Sequence, residues 1–447
     1  MMKTLVRSWI IGIDKYSWLL LVAAAPFLLF PSPARSLALL VLPVIWLAGW
    51  VSTGKPILHT PLNPPLLLMA LMVLVSLWAT YDLNISLGKV CGVMLGLATY
   101  IFFIQRGITK KGWYICLGTF LLCGAGIAGV SLLGTRWIIT GKLASLTKIT
   151  AKLPISVSGL PGAAEGFHPN EVAGALLWVL PVYFAVTLGL IYKFYDTKNN
   201  SNHRGMIKPF DLGVILCTSI ATLFSLCVVI LTQSRTAYFA LMIAVGLILW
   251  LILPRRMQLG LAMFVIIAII ALTIFITTRG GNVLERFLFE SPMDSSSDSL
   301  NSIEGRLEIW TRAYECIQDF PWTGMGMNTF RTAVYIVHPP RIFNPNTDVG
   351  HAHNEFLQAA LDLGVPGLIA LIWLYLAAFI QLFRVFRLAL FFDREVLFWI
   401  LGLAGGLIAH LFYGLNDAVA LGAKPGFLFW MLLGLIAGIP NWLREPS

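Results

Sequence analysis

The sequence predicts an all-α polytopic membrane protein of about twelve transmembrane helices, with a large helical outer loop between the ninth and tenth spans. Three observations carry this. Of 447 residues, 58% are hydrophobic and 12% charged, more apolar surface than a soluble core of this length hides. Apolar stretches of about 20 residues recur, the length a helix needs to cross a roughly 30 Å hydrocarbon core. Basic residues fall on alternate loops, as expected when one side faces the cytoplasm. The net charge of +10 follows from those loops and does not require nucleic acid.

In chain order, the spans are expected near 16–30, 34–52, 65–80, 84–104, 113–134, 171–191, 212–232, 236–253, 258–277, 356–384, 395–415 and 424–443. The first is short and the tenth long, which points to a tilt or a break. Lys3, Arg7 and Lys15 precede the first run. No small-residue cleavage site follows them, so the run reads as a retained span and not a removed signal peptide. With the N-terminus cytoplasmic, Lys55, then Arg106, Lys110 and Lys111, then Lys193, Lys198, Arg204 and Lys208 share one side. Arg255, Arg256, Arg384, Arg387, Arg394 and Arg444 complete it; the opposite short loops hold little beyond Arg35, Arg235 and Lys424. Both termini are therefore expected in the cytoplasm.

This layout divides the chain into spans one to nine (1–277, with an outer loop near 135–170), an outer loop (278–355) and three final spans (356–447). Long loops in compact proteins commonly serve as lids or binding elements. Within the large loop, 291–301 reads as flexible, and Asn301 with Glu304 resembles a capping box. Leu307, Trp310, Tyr314 and Ile317 recur at helical spacing and predict an amphipathic helix over 303–318, ended by "PWTGMG" at 321–326. Five of the six cysteines fall inside apolar spans and only Cys316 in a polar region, which gives neither a disulfide framework nor zinc spacing.

Unusual polar residues gather on the outer side. Arg235, in "LTQSRTAYFA", sits in a turn too short to hold it far from lipid depth. It either snorkels or meets an anion. Arg306 opens "RLEIWTRAYECI" on the polar side of the surface helix, where a solvated residue is the plain alternative; Arg312 faces elsewhere and reads as such a residue. The stretch "HAHNEFLQAALDLGVPG" places His351, His353 and Asn354 at the start of the tenth span. Asn354 suits a helix cap. The helix dipole keeps a nearby histidine neutral and able to accept a proton. The two histidines with Asp348 form a weak metal pattern, lacking a third strong ligand at standard spacing. His168 and Asn170, in "GFHPNEVAGALL", open another span, and Lys89 lies about a turn below the outer end of the fourth. Capping and snorkelling are their ordinary explanations.

Two arginines and a base at the outer surface fit a lipid-tailed substrate with a phosphate head, since the guanidinium fork matches phosphate oxygens in pairs. The chain carries no glycine-rich nucleotide loop and no Walker or kinase pattern. A glycan on a lipid diphosphate needs neither. Its diphosphate leaves with developing charge that arginines would stabilise, while a histidine takes the acceptor proton. A transporter or flippase is the rival class. It would place ionisable groups near mid-membrane, where only Asp362 and His410 stand out here.

The pattern His353-Asn354, nine residues, then Gly364 and Gly367 resembles the O-antigen ligase/polymerase superfamily, which includes WaaL O-antigen ligases, Wzy polymerases and bacterial O-oligosaccharyltransferases. The segments "PNEVAGALLWVLP" (169–181), "TQSRTAYFAL" (232–241) and "RLEIWTRAYECIQDFPWTGMGMNTF" (306–330) fit in order. The resemblance implies an inverting, metal-independent transfer with no cofactor. The donor would be an undecaprenyl-diphosphate-linked glycan and the acceptor lipid A–core or another glycan. The setting would be the bacterial inner membrane, with membrane lipids as partners and the site facing the periplasm. By motif, Arg235 and Arg306 would hold the diphosphate and His353 would activate the acceptor. Lys89, His168, His351 and Asn354 are expected to line the substrate site.

Overall fold

A computed structural model describes residues 12, 14–137, 144–159, 164–199, 209–260, scattered positions between 262 and 270, and 303–344, 347–392, 394–419 and 421–443. Among these the chain is helical, and its one β-type pairing is an isolated bridge between Thr135 and Phe167 that closes the base of the 135–170 loop. Nine helical stretches among the described residues are long and apolar enough to cross a membrane, and Ser17–Leu29 and Asn63–Ala79 are apolar but shorter. Together these account for every predicted span except the ninth. That span (258–277) lies mostly outside the described residues, as do the stretch 291–301 and Asn301 of the expected capping box.

The helices that position the site are α1 (Ser17–Leu29), α2 (Val41–Thr53), α3 (Asn63–Ala79), α4 (Leu83–Arg106), α5 (Lys110–Gly134), α6 (Ala144–Thr150), α7 (Pro169–Leu176) and α8 (Leu180–Asn199). They continue with α9 (Pro209–Leu231), α10 (Arg235–Ile252), α11 (Ile303–Asp319), α12 (Phe330–Val337), α13 (Glu355–Phe392), α14 (Arg394–Gly414) and α15 (Phe427–Leu443). The main helix pairings are α14 with α8 and α10, α15 with α4, and α13 with α3. The last two spans thus run through the centre, which places the short turn between them, 415–423, at the middle of the site-bearing face.

The long tenth span is broken. Gly364 within α13 has φ 71° and ψ 178°, and Pro366 follows it. A left-handed φ suits glycine, and proline cannot continue a helix but can begin one. The turn after α11 fills the break: Val365 N–H donates to Pro321 O and Met325 N–H to Leu361 O, both at 2.7 Å. The contact is backbone to backbone. A Cβ on Gly364 would lie 2.7 Å from the Trp322 carbonyl carbon, and one on Gly324 (φ 66°) would lie 2.6 Å from Gly364 N.

The amphipathic helix predicted over 303–318 is present as α11; of its predicted apolar face Trp310 and Ile317 pack, partly buried, at the edge of a stripe centred elsewhere. Ile309, Ala313 and Cys316 pack with Phe330, Ala333 and Val334 of α12 and with Val349, Ala352 and Leu361. Leu307 and Tyr314 of the expected apolar face are exposed. Arg312, expected to be solvated, is buried between Glu308 (3.0 Å) and Glu315 (2.7 Å). The two carboxylates satisfy the fork.

Candidate functional site

Four segments meet on the turn that follows α14. Asn354 caps α13 by accepting from Phe356 N–H and Leu357 N–H, each at 3.0 Å, and its Nδ2 donates to Leu415 O at 2.9 Å. From α11, the Arg306 guanidinium donates to Asn416 O. Asn416 Nδ2 in turn donates to Thr236 Oγ1 at 3.0 Å, which fixes the first turn of α10 and therefore the base of Arg235. Finally, Asp417 Oδ1 lies 3.3 Å from His353 Nδ1. Arg235, Arg306, His353 and Asn354 are thus gathered around 415–417, although they are scattered in sequence.

Local backbone chemistry explains the placement. The α9–α10 turn is Thr232–Ser234, with Gln233 at φ 54°, so Arg235 opens the next helix directly. His353 has φ 48°, a left-handed conformation in a non-glycine residue. Such a backbone costs on the order of 1–3 kcal/mol and persists only where its surroundings hold it. Here they do: Ala352 N–H donates to Gln358 Oε1 (2.8 Å), and Trp310 Nε1 of α11 donates to Ala352 O (3.0 Å).

Asp417 is 2% exposed and fully engaged. Oδ1 accepts from Ala418 N–H (2.9 Å) as well as facing His353, and Oδ2 accepts from Asn170 Nδ2 (2.8 Å). Asn170 is held through its carbonyl by Tyr413 O–H at 2.6 Å. Burial works against a charged Asp417. The hydrogen bond from His353, and the fields of His353, His351 and Arg306, outweigh it and hold the carboxyl far below the usual carboxylate range. Facing an ionised carboxylate, His353 Nδ1 donates to Asp417, which leaves Nε2 as the nitrogen turned away from it.

His351 completes the cluster. Its ring centroid is 4.4 Å from that of His353, and its Nε2 is 3.8 Å from Asp417 Oδ1. Burial first, and then the neighbouring His353, lower its proton affinity, so it is neutral. The fields of Lys89 and His168 also reach His351, which brings these two sequence candidates to the same region. His168 is the residue that starts α7: its Nδ1 accepts from Asn170 N–H at 3.3 Å. Arg306 Nε is buried and has no hydrogen-bond partner among the described residues. A buried donor of this kind is suited to an incoming anionic oxygen.

The ligand atoms of His351, His353 and Asp417 lie within 4.8 Å of one another, a grouping able to surround a metal ion. The hydrogen bonding draws them differently. His351 Nδ1 accepts from His353 N–H at 3.1 Å, so the neutral ring carries its proton on Nε2, facing Asp417. A cation at Nε2 would require the other tautomer and the loss of that bond. The aspartate paired with the histidines in the weak metal pattern is a different residue: Asp348 instead pairs with Arg331 and also accepts from Gly350 N–H at 3.0 Å.

The sequence reading did not include Asn416 and Asp417. The signal for them is "GLNDAV", a polar pair in a short turn between two apolar spans on the same side as Arg235 and His353.

A search of curated proteins returned no match to the chain. Residues 220–372 match the family model described as O-antigen ligase, a segment that holds Arg235, Arg306, His351, His353, Asn354 and Gly364 but not Lys89, His168 or Asp417. That match, over about a third of the chain, supports a likeness to the O-antigen ligase/polymerase superfamily.

Proposed function

We propose that the chain is an O-antigen ligase-type glycosyltransferase that moves a glycan from undecaprenyl diphosphate to a lipid A–core acceptor. In this reading it is a multi-pass protein of the bacterial inner membrane, with both termini cytoplasmic and the site facing the periplasm. The observation that carries the proposal is the Asp417–His353 pair beside Arg306, whose guanidinium is fixed at one nitrogen and open at another.

The chemistry is a single displacement with inversion. His353 Nε2 takes the proton of the acceptor hydroxyl as its oxygen bonds to the anomeric carbon. The bond from that carbon to the diphosphate oxygen breaks, and the diphosphate departs with the electron pair. Asp417 keeps the imidazole in the needed tautomer and stabilises the imidazolium that forms. Arg306 and Arg235 stabilise charge on the departing diphosphate, with Lys89 adding positive potential. His168, His351 and Asn354 shape the substrate site. No metal or cofactor takes part in this scheme.

The test is purified protein supplied with lipid-linked glycan and either lipid A–core or a second lipid-linked repeat. Glycan on lipid A–core, abolished by His353→Ala, is the expected result. Longer lipid-linked chains with no product on lipid A–core would assign a polymerase instead, and transfer to a protein acceptor would assign an oligosaccharyltransferase. Movement of lipid-linked glycan between leaflets, insensitive to His353→Ala, would assign a transporter.

A further inference from the structure

Asp362 is a carboxylate in the first part of α13, 1% exposed, and the transfer chemistry above does not use it. An isolated charge at such a position is costly, and one that persists is expected to be paired or hydrogen-bonded. Asp362 Oδ1 accepts from Gln358 Nε2 at 2.8 Å and from Asn328 N–H at 3.0 Å. Each partner leads further. Gln358 Oε1 accepts from Ala352 N–H (2.8 Å), the peptide between the two site histidines. Asn328 has φ 65°, and its Nδ2 donates to Ile85 O (3.1 Å) on α4, four residues before Lys89. Ser86 Oγ of α4 donates to Met327 O at 2.7 Å, which seats the same loop on the same helix. Lys89 and Asp362 are also close enough to feel each other's charge.

We infer that Asp362 is a positioning residue: its carboxylate joins the His351–His353 loop, through Gln358, to the helix that carries Lys89, through Asn328. The junction ties together three chain segments. Such a network rigidifies only when every member is satisfied. A displacement of about 1 Å at a reacting group costs up to a hundredfold in rate. Asp362 therefore sets where His353 stands relative to Lys89 without touching substrate.

The inference rests on the transfer reading for its kinetic assay but not for its structural one. Asparagine at 362 still offers an oxygen that accepts both bonds, whereas alanine offers none. In the full-length protein in nanodiscs, Asp362→Ala is expected to lower kcat about tenfold to a hundredfold with the donor KM little changed. Asp362→Asn should restore kcat to near the wild-type value. Hydrogen exchange at the Ala352 amide should rise in Asp362→Ala and not in Asp362→Asn. Should Asp362→Ala fail to insert, Gln358→Met breaks the same junction and should give the same kcat loss and faster exchange. Wild-type kcat in Asp362→Ala overturns the inference, as does an Asp362→Asn protein as impaired as the alanine variant. If the wild-type protein transfers no glycan, the functional proposal falls and the Ala352 amide decides: exchange unchanged by Asp362→Ala overturns the positioning role.

Discussion

Asp417 Oδ1 stands 3.3 Å from His353 Nδ1 across 64 residues of sequence. Every oxygen position of Asp417 is met by a donor: His353 and Ala418 on one side, Asn170 on the other. Asp417→Asn must therefore turn its amide N–H₂ toward one of them. If it faces His353, the ring is driven to the tautomer that lacks a lone pair on Nε2. The expected result is a kcat lower by about 10²–10⁴-fold with the donor KM nearly unchanged, measured by steady-state transfer. An asparagine variant with wild-type kcat would remove Asp417 from the scheme.

Arg306 uses its fork, not only its charge. A lysine there cannot hold Asn416 O and offer a second fixed donor at once. Arg306→Lys and Arg235→Ala are each expected to lower transfer about 10²–10³-fold, or roughly 3–4 kcal/mol of transition-state stabilisation. Single-turnover rates with lipid-linked donor check this. Arg312→Ala is the contrasting variant. It removes the guanidinium that Glu308 and Glu315 share, leaving them only Arg341 N–H and His338, and should lower thermal stability while leaving the chemical step intact.

The neutral His351 gives stability a pH dependence. Burial and His353 place its proton affinity below the ordinary value of 6.5. Between the lowered value and 6.5 the unfolded chain binds this proton and the native protein does not, so stability falls as pH drops below about 6.5. The slope approaches about 1.4 kcal/mol per pH unit for one such group. His351→Gln should flatten the decline in Tm between pH 7.5 and 5.5, and an unchanged slope would refute the assignment. Asp417 is shifted in the same direction, and its depressed carboxylate acts at lower pH. Its contribution is complete above the ordinary carboxylate range and is lost progressively as pH falls through and below that range.

The tautomer of His351 turns an N–H, not a lone pair, toward the carboxylate that faces His353. Transfer is accordingly expected to survive excess chelator during purification and assay. Loss of activity that zinc or another divalent ion restores would instead assign His351, His353 and Asp417 as ligands.

Gly364 and Gly324 approach each other too closely for side chains. Gly364→Ala places a Cβ 2.7 Å from the Trp322 carbonyl carbon in a left-handed backbone, and is expected to cost at least about 1–3 kcal/mol. A lower Tm and lower transfer, with unimpaired membrane insertion, would bear this out.

Much of this was legible in sequence because it depends on local pattern. Apolar run lengths located the helices, and Pro169 and Asn354 marked two helix starts that the structure retains. Motif spacing picked out His353, Arg235 and Arg306. What escaped reading depends on contacts between distant segments. Asp417 acquires its role from His353 and Asn170, neither of which is near it in sequence. Arg312 looked solvated because the carboxylates that bury it sit one turn away on either side, a pattern that an exposed helix shows equally. The stripe Leu307, Trp310, Tyr314 and Ile317 has helical period, but α12 and the 349–352 loop cover the neighbouring stripe. Periodicity identifies a helix without saying which side a later segment will cover.

The interruption at Gly364 turns the residues before it, 355–363, into a lever arm roughly 14 Å long at 1.5 Å of rise per residue. His353 rides at its far end, tethered there to the 415–417 turn. A few degrees of swing at the fulcrum would sweep the imidazole by an ångström or so, enough to take it in or out of reach of an acceptor hydroxyl.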